Sequence, residues 1–314
     1  KAAGFGVAEL KKLRKFTCAQ LASVKFEAGE MRSSGGFGLA EMLSAGYALS
    51  ELRAAGYSVV ECKDAGVPAA DMRSAGFTAS EMKAASGYSV TRLKFTGYTV
   101  EELREGGYTG SDMSSLFSAK QLRDAGYGAE DLRDFFGAAD LRQAGFSAEE
   151  LRSAKCSVAE LRPLFPLSTL RSVGYTASEL LMGNASVEDL RGTGFTAEQL
   201  REAGVAILSL RIAKFSVREA LDGGYSVADI KSAGYGCGEM LKGGCTCAAL
   251  REAGVTCGEL VQAGVKPIAL REAGFSVSEL KQGGCGLSEI EAAGYPLAEL
   301  KAAGFGVGEL KKLR

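Results

Sequence analysis

The sequence predicts an all-α protein, a superhelical solenoid of about thirty very short helices of two turns each, one per ten-residue repeat. Three observations predict it. One ten-residue phrase recurs along the whole chain, as SAGFTASEMK at 74–83, SVGYTASELL at 172–181, EAGFSVSELK at 272–281 and AAGYPLAELK at 292–301. Inside the phrase a Ser or Thr is usually followed three residues later by an acid, and Ala-Gly usually stands just before the aromatic residue, where the preceding unit ends. Its apolar residues fall just before the Ser/Thr, just after it, and three residues further on, the spacing of one helical face.

Each position of the unit has a local task. In Phe77-Thr78-Ala79-Ser80-Glu81-Met82, Thr78 is placed as an N-cap that accepts from the N3 amide, and Glu81 at N3 can reach back to the cap's own N–H, a capping box. Phe77 before the cap and Met82 at N4 can meet as a hydrophobic staple. Glu81 in the first turn and Lys83 later suit the helix dipole. Gly then supplies the left-handed C′ residue that ends a helix without Cβ strain, and Asn184 fills that slot once. Pro267 falls at N1, which tolerates it, and Pro163 falls where a helix should stop.

A pentapeptide β-helix is the competing periodic fold. It needs small buried residues two before the Leu, where the chain carries Glu101, Lys120, Glu149, Glu188 and Arg218. It also needs polar residues two after the aromatic, where Val90, Val100, Leu167, Ile207, Val217 and Leu287 stand. One-residue changes of repeat length would turn later side chains onto the wrong face of a β-coil. The short helix is favoured. Two turns span roughly 10 Å, too short to persist alone in water, so each unit must draw stability from its neighbours, as in a solenoid.

The repeat lengths divide the array. Along the Leu/Met column, eleven-residue steps reach Leu21, Met42 and Leu93, and nine-residue steps reach Leu122, Leu141 and Leu170. From Leu170 to Leu310 every step is ten. The expected organisation is one continuous solenoid with an irregular part at 1–170 and a regular part at 171–314. Each nine-residue step has lost its Gly, replaced by Leu116-Phe117, Phe135-Phe136 or Leu164-Phe165. The two ends nearly match, KAAGFGVAELKKLR at 1–14 and KAAGFGVGELKKLR at 301–314. With Lys1 in first place rather than Met, the expectation is an excerpt of a longer array, or one whose ends dock onto further repeats.

The phrase resembles the AGF/AGY-x-x-x-ELK decapeptide arrays that recur in predicted proteins of microalgae and other protists, and the resemblance covers the whole chain. It implies a short-helix solenoid. It implies no activity and supplies no functional residues.

Composition narrows the partners. Lys plus Arg number 37 against 38 Asp plus Glu, so no basic excess is available to neutralise phosphates, and nucleic acid is not expected. No apolar run approaches the roughly 18 residues of a membrane span. There is no His, which removes His-based triads and the usual proton shuttle. The carboxylates Glu51, Glu61, Asp71 and Glu81 repeat one N3 position and read as caps. Paired glycines such as Gly223-Gly224 are the C′ slot with Gly in place of the Ala beside it, and no phosphate-binding G-x-x-x-x-G-K-[ST] occurs. The expected protein is therefore no enzyme, with no catalytic, cofactor or metal residues.

The eight cysteines sit in apolar columns, with Cys237, Cys247 and Cys257 at N1 and Cys245 and Cys285 in the aromatic column. They read as small buried thiols. That points to a reducing intracellular compartment, with a plastid as one candidate.

The residue after the Leu is normally Lys or Arg and is expected to face solvent. Leu181, Leu221, Leu241 and Val261 replace it at multiples of twenty residues. If alternate helices share a side, these form an apolar stripe for a partner; the other reading has Leu221 standing in for the core Leu missing at Ala220. The Gly-less junctions at Leu116, Phe135 and Leu164 complete the candidate contact residues. The function expected is a structural scaffold or linker that binds along or bridges the protein subunits of a larger assembly, such as a membrane-associated or photosynthetic supercomplex. The alternative is a binder of a periodic lattice, ice or mineral, or an element of a self-assembling fibre.

Overall fold

The computed structural model describes residues 4–12, 16–85 and 87–310. Among them the regular structure is entirely helical, running from α1 (Val7–Lys12) to α31 (Val307–Leu310), with one short helix per repeat and no strand. Parts of the two matching ends, at 1–3, 13–14 and 311–314, lie outside the described residues.

The local chemistry explains why each helix starts where it does. At α8 (Ala79–Ala84), Thr78 is extended, with φ −82° and ψ 159°. The Glu81 amide donates to Thr78 Oγ1 at 3.2 Å, while Glu81 Oε2 accepts from the Thr78 amide at 2.6 Å and from its hydroxyl at 2.9 Å. Where the cap has no hydroxyl, the acid still reaches back: Glu239 accepts from the Gly236 amide at 2.8 Å.

The ends are equally regular. After α5 (Leu49–Ala54) the Gly56 amide donates to Arg53 O at 2.8 Å, and the Tyr57 amide donates to Leu52 O at 3.1 Å. This is a Schellman motif, and it requires Gly56 at φ +92°. The same slot is left-handed at Asn184, and also at Lys25, Lys155 and Lys214. A non-Gly residue held there is strained by about 1–2 kcal/mol. Lys214→Gly is therefore expected to stabilise the protein by roughly 0.5–1 kcal/mol after the added flexibility of the unfolded chain is subtracted. Chemical denaturation checks this, and an unchanged or lower midpoint would contradict it.

The nine-residue units show what the missing Gly was for. After α11 (Gly110–Met113), α13 (Ala129–Leu132) and α16 (Val158–Leu161), the aromatic amide still donates to the carbonyl of the column Leu or Met: Phe117 to Met113, Phe136 to Leu132 and Phe165 to Leu161. With one residue fewer, the turn closes on the same carbonyl without a left-handed residue. The Gly is lost because its conformation is no longer needed.

The chain packs as two compact units, Lys1–Cys156 and Ser157–Arg314. In each, a helix packs mainly on the second helix along. In the first unit α12 (Ala119–Asp124) lies on α14 (Ala138–Ala144). In the second, α20 (Ala197–Glu202), α22 (Val217–Asp222), α24 (Cys237–Lys242), α26 (Cys257–Gln262) and α28 (Val277–Gln282) form one consecutive side. Between Leu21 and Leu300 the Leu/Met column is sealed, with Met72, Leu122, Leu200 and Leu260 at 0% exposure, and no described polar or charged residue is buried. Tyrosines of the aromatic column tie one level to the next. Tyr57 Oη donates to Phe37 O at 2.6 Å, Tyr98 to Phe77 O at 2.6 Å and Tyr295 to Phe275 O at 2.6 Å.

Candidate interaction surface

The residue after the column Leu does not project freely into water, contrary to the expectation from its charge. It is a strut. Arg191, on α19 (Val187–Gly192), reaches the junction between α21 (Ile207–Ile212) and α22. There its Nη1 donates to Ala213 O at 3.1 Å, its guanidinium lies 5.0 Å from the Phe215 ring centroid, and Nη2 sits 3.8 Å from Glu219. One cation thus satisfies an open helix C-terminus, covers an aromatic face and pairs with the acid of the next cap. The Ser216 amide, and after it the Ser216 hydroxyl and Arg191, hold the Glu219 carboxyl below its ordinary range despite some burial.

The arrangement repeats. Arg53 lies over Phe77 and pairs with Glu81 at 3.2 Å. Arg271 donates to Ala293 O at 2.8 Å under the Tyr295 ring, and Lys281 lies 4.3 Å from the Phe305 centroid. Each ion pair is part-exposed and contributes at most about 1 kcal/mol, and each ring contact about 0.5–1 kcal/mol. Their weight comes from recurrence at level after level.

This frame places the candidate contact residues. Leu181, Leu221, Leu241 and Val261 occupy the strut position and are half-buried, and the last three pack against the core of the second unit. Their helices α22, α24 and α26 are consecutive on one side, so Leu221, Leu241 and Val261 do share a side. Ala220 beside Leu221 is fully sealed. At the Gly-less junctions Leu116 and Leu164 are half-buried, and Phe135 is 45% exposed.

The most exposed apolar side chains lie one position further on. Phe95 is 86% exposed, Met182 80% and Ile212 71%. All stand two residues after a column Leu, where Ser, Ala, Asp or Glu is usual. The departure from the consensus was visible in the sequence, but its outward direction follows from the strut position turning inward.

Grooves between neighbouring levels are lined by the same struts, rings and caps. One is bounded by Arg73, Phe77, Thr78, Tyr98 and Glu102, where Arg73 pairs with Glu102 at 3.3 Å and lies over Tyr98. Its converging polar groups are engaged with one another. All eight cysteines are thiols outside any disulfide. Burial, more than any neighbour, pushes Cys62 and Cys257 up to about 11, which makes them poor nucleophiles at neutral pH. Among the described residues no group of three or more Cys, Asp or Glu could hold a metal ion, and no helix is long and apolar enough to cross a membrane.

The family model described as a decapeptide repeat region matches five times, at 16–86, 76–137, 165–237, 214–284 and 234–307. The chain belongs to the decapeptide repeat family. The matches leave out 138–164 within the array, a stretch that includes α16 and the start of its Gly-less junction. No curated protein is significantly similar to the chain.

Proposed function

We propose that this decapeptide-repeat protein is a non-enzymatic scaffold or linker that lies along, or bridges, the protein subunits of a larger assembly. The observation that carries this reading is the commitment of the recurring polar groups. Cap hydroxyls and N3 acids bind each other, and strut cations bind the acids and carbonyls of later levels. What varies along the surface is a small set of exposed apolar residues, Phe95, Phe135, Met182 and Ile212 among them. A partner that covers such side chains gains about 1–2 kcal/mol for each, and a few clustered anchors dominate most protein interfaces. The reduced thiols suit a reducing compartment, and a plastid remains the organelle proposed.

A lattice binder would present the regular Ser/Thr column to ice or mineral. In the structure those hydroxyls are internal partners, as Thr78 is to Glu81, which favours the scaffold.

The test is incorporation into the native complex of a variant carrying Phe135→Lys, Met182→Lys and Ile212→Lys. Far-UV circular dichroism should be unchanged, while the share of the protein that sediments with the complex should fall. Equal incorporation of the variant, or thermal hysteresis by the purified wild-type chain, would count against the scaffold.

A further inference from the structure

Near-identical repeats raise a question that capping boxes cannot answer: what makes each level stack on its own partner rather than on the next similar one? The strut and the ring it covers vary together. Charged struts cover aromatic rings 24 residues later, as with Arg171 and Phe195, Arg191 and Phe215, Arg211 and Tyr235, Arg251 and Phe275, and Arg271 and Tyr295. At the same offset, Leu181 is matched with Val205, Leu221 with Cys245, Leu241 with Val265 and Val261 with Cys285. In the first unit Leu43 is matched with Val67. No Leu or Val strut among the described residues is matched with an aromatic residue.

The third member follows in three of these cases. Arg53, Arg73 and Arg191 pair with acids at the N3 position beyond the ring, Glu81, Glu102 and Glu219. The N3 residues that correspond to Leu181, Leu221 and Leu241 are Ser209, Ala249 and Ala269. At these three levels the cation and its anion are absent together. Val261 and Leu43 keep Glu289 and Asp71 there, each of which is already the N3 acid of its own helix.

We infer that the strut, the ring and the N3 residue form a pairing code that sets the stacking register. A level with a cation accepts a junction that offers an aromatic face, an acid or both, as Arg171 meets Phe195 and Gln199 while Arg133 meets Cys156 and Glu160. A level with Leu or Val accepts a junction that offers Val or Cys. A slip of one ten-residue unit would set Leu181 on Phe215, Leu241 on Phe275, Arg211 on Cys245 and Arg251 on Cys285. In those pairings a guanidinium loses its aromatic face, and an aliphatic side chain takes up the space that a guanidinium and its acid share. The native register in the second unit leaves a cationic strut without a ring at Lys231, matched with Val255, and at Arg162, matched with Ala185. Both keep acids at N3, Glu259 and Asp189. The logic is that of charged and polar positions that specify register in coiled coils, applied between helices of only six residues.

Two thermodynamic cycles on the full chain test the code. In the first, Leu241→Arg and Val265→Phe are made singly and together; in the second, Arg251→Leu and Phe275→Val. Each single change should lower the melting temperature by about 2–4 °C. Each double variant should recover at least half of the summed loss, because it exchanges one allowed pair for the other. The second cycle removes volume where the first adds it, so overpacking alone cannot imitate recovery in both. Additive losses in either cycle would overturn the code.

Discussion

Leu260→Ala is expected to lower the stability of the second unit by about 2–5 kcal/mol, the range for a Leu truncated in a packed core that cannot collapse around the gap. Leu260 is the N4 residue of α26 and has 0% exposure. Its helix has only six residues and is packed against α24 and α28. Such a helix has too few internal hydrogen bonds to persist alone, so losing its main apolar anchor should loosen the neighbours too. Hydrogen exchange should accelerate first at α24, α26 and α28, spreading outward as nearest-neighbour coupling in a repeat array requires. A loss below about 1 kcal/mol by chemical denaturation, or exchange unchanged at those helices, would show that the Leu/Met column is not the main source of stability.

The second large effect runs against the consensus. Position N1 of the repeat usually holds Ala, Val or Leu, yet α11 has a buried Gly110 there. A Cβ at Gly110 would stand 2.3 Å from Asp131 O and 3.2 Å from Asp131 C. The obstacle is backbone, so no rotamer change can relieve it. Gly110→Val, which restores the usual residue, should therefore destabilise the first unit by about 1–3 kcal/mol or more, as overpacking does. The close approach is made by α13, a four-residue helix that opens a Gly-less junction. A neutral or stabilising Gly110→Val, read from the denaturation midpoint, would mean that α13 can withdraw at little cost and that the approach at Gly110 is not a packing constraint.

Much of the fold was legible because its determinants act within one repeat. The Thr78 hydroxyl finds the Glu81 amide three residues on, and the Tyr57 amide finds the Leu52 carbonyl five residues back. Caps and left-handed Gly thus fix where each helix begins and ends, while stacking on its neighbours keeps so short a helix formed. Even the nine-residue units obey local rules, since the aromatic amide returns to the carbonyl of the same column residue in either case.

Tertiary structure decided what each outer position faces. Arg191 looked like a solvated cation because its partners are Ala213, Phe215 and Glu219, all more than twenty residues away. The same distance hid the inward turn of Leu241 and Val261, which the sequence had suggested only for Leu221 beside Ala220, and the outward turn of Met182 and Ile212. Lys25, Lys155 and Lys214 occupy the left-handed slot at a local cost that stacking on neighbouring levels offsets. The sequence by itself determined the helices, because capping and backbone closure need only adjacent residues. Only the stacked levels determined which faces are sealed and which are free, because a strut acquires its partners when the helix two levels on is already in place.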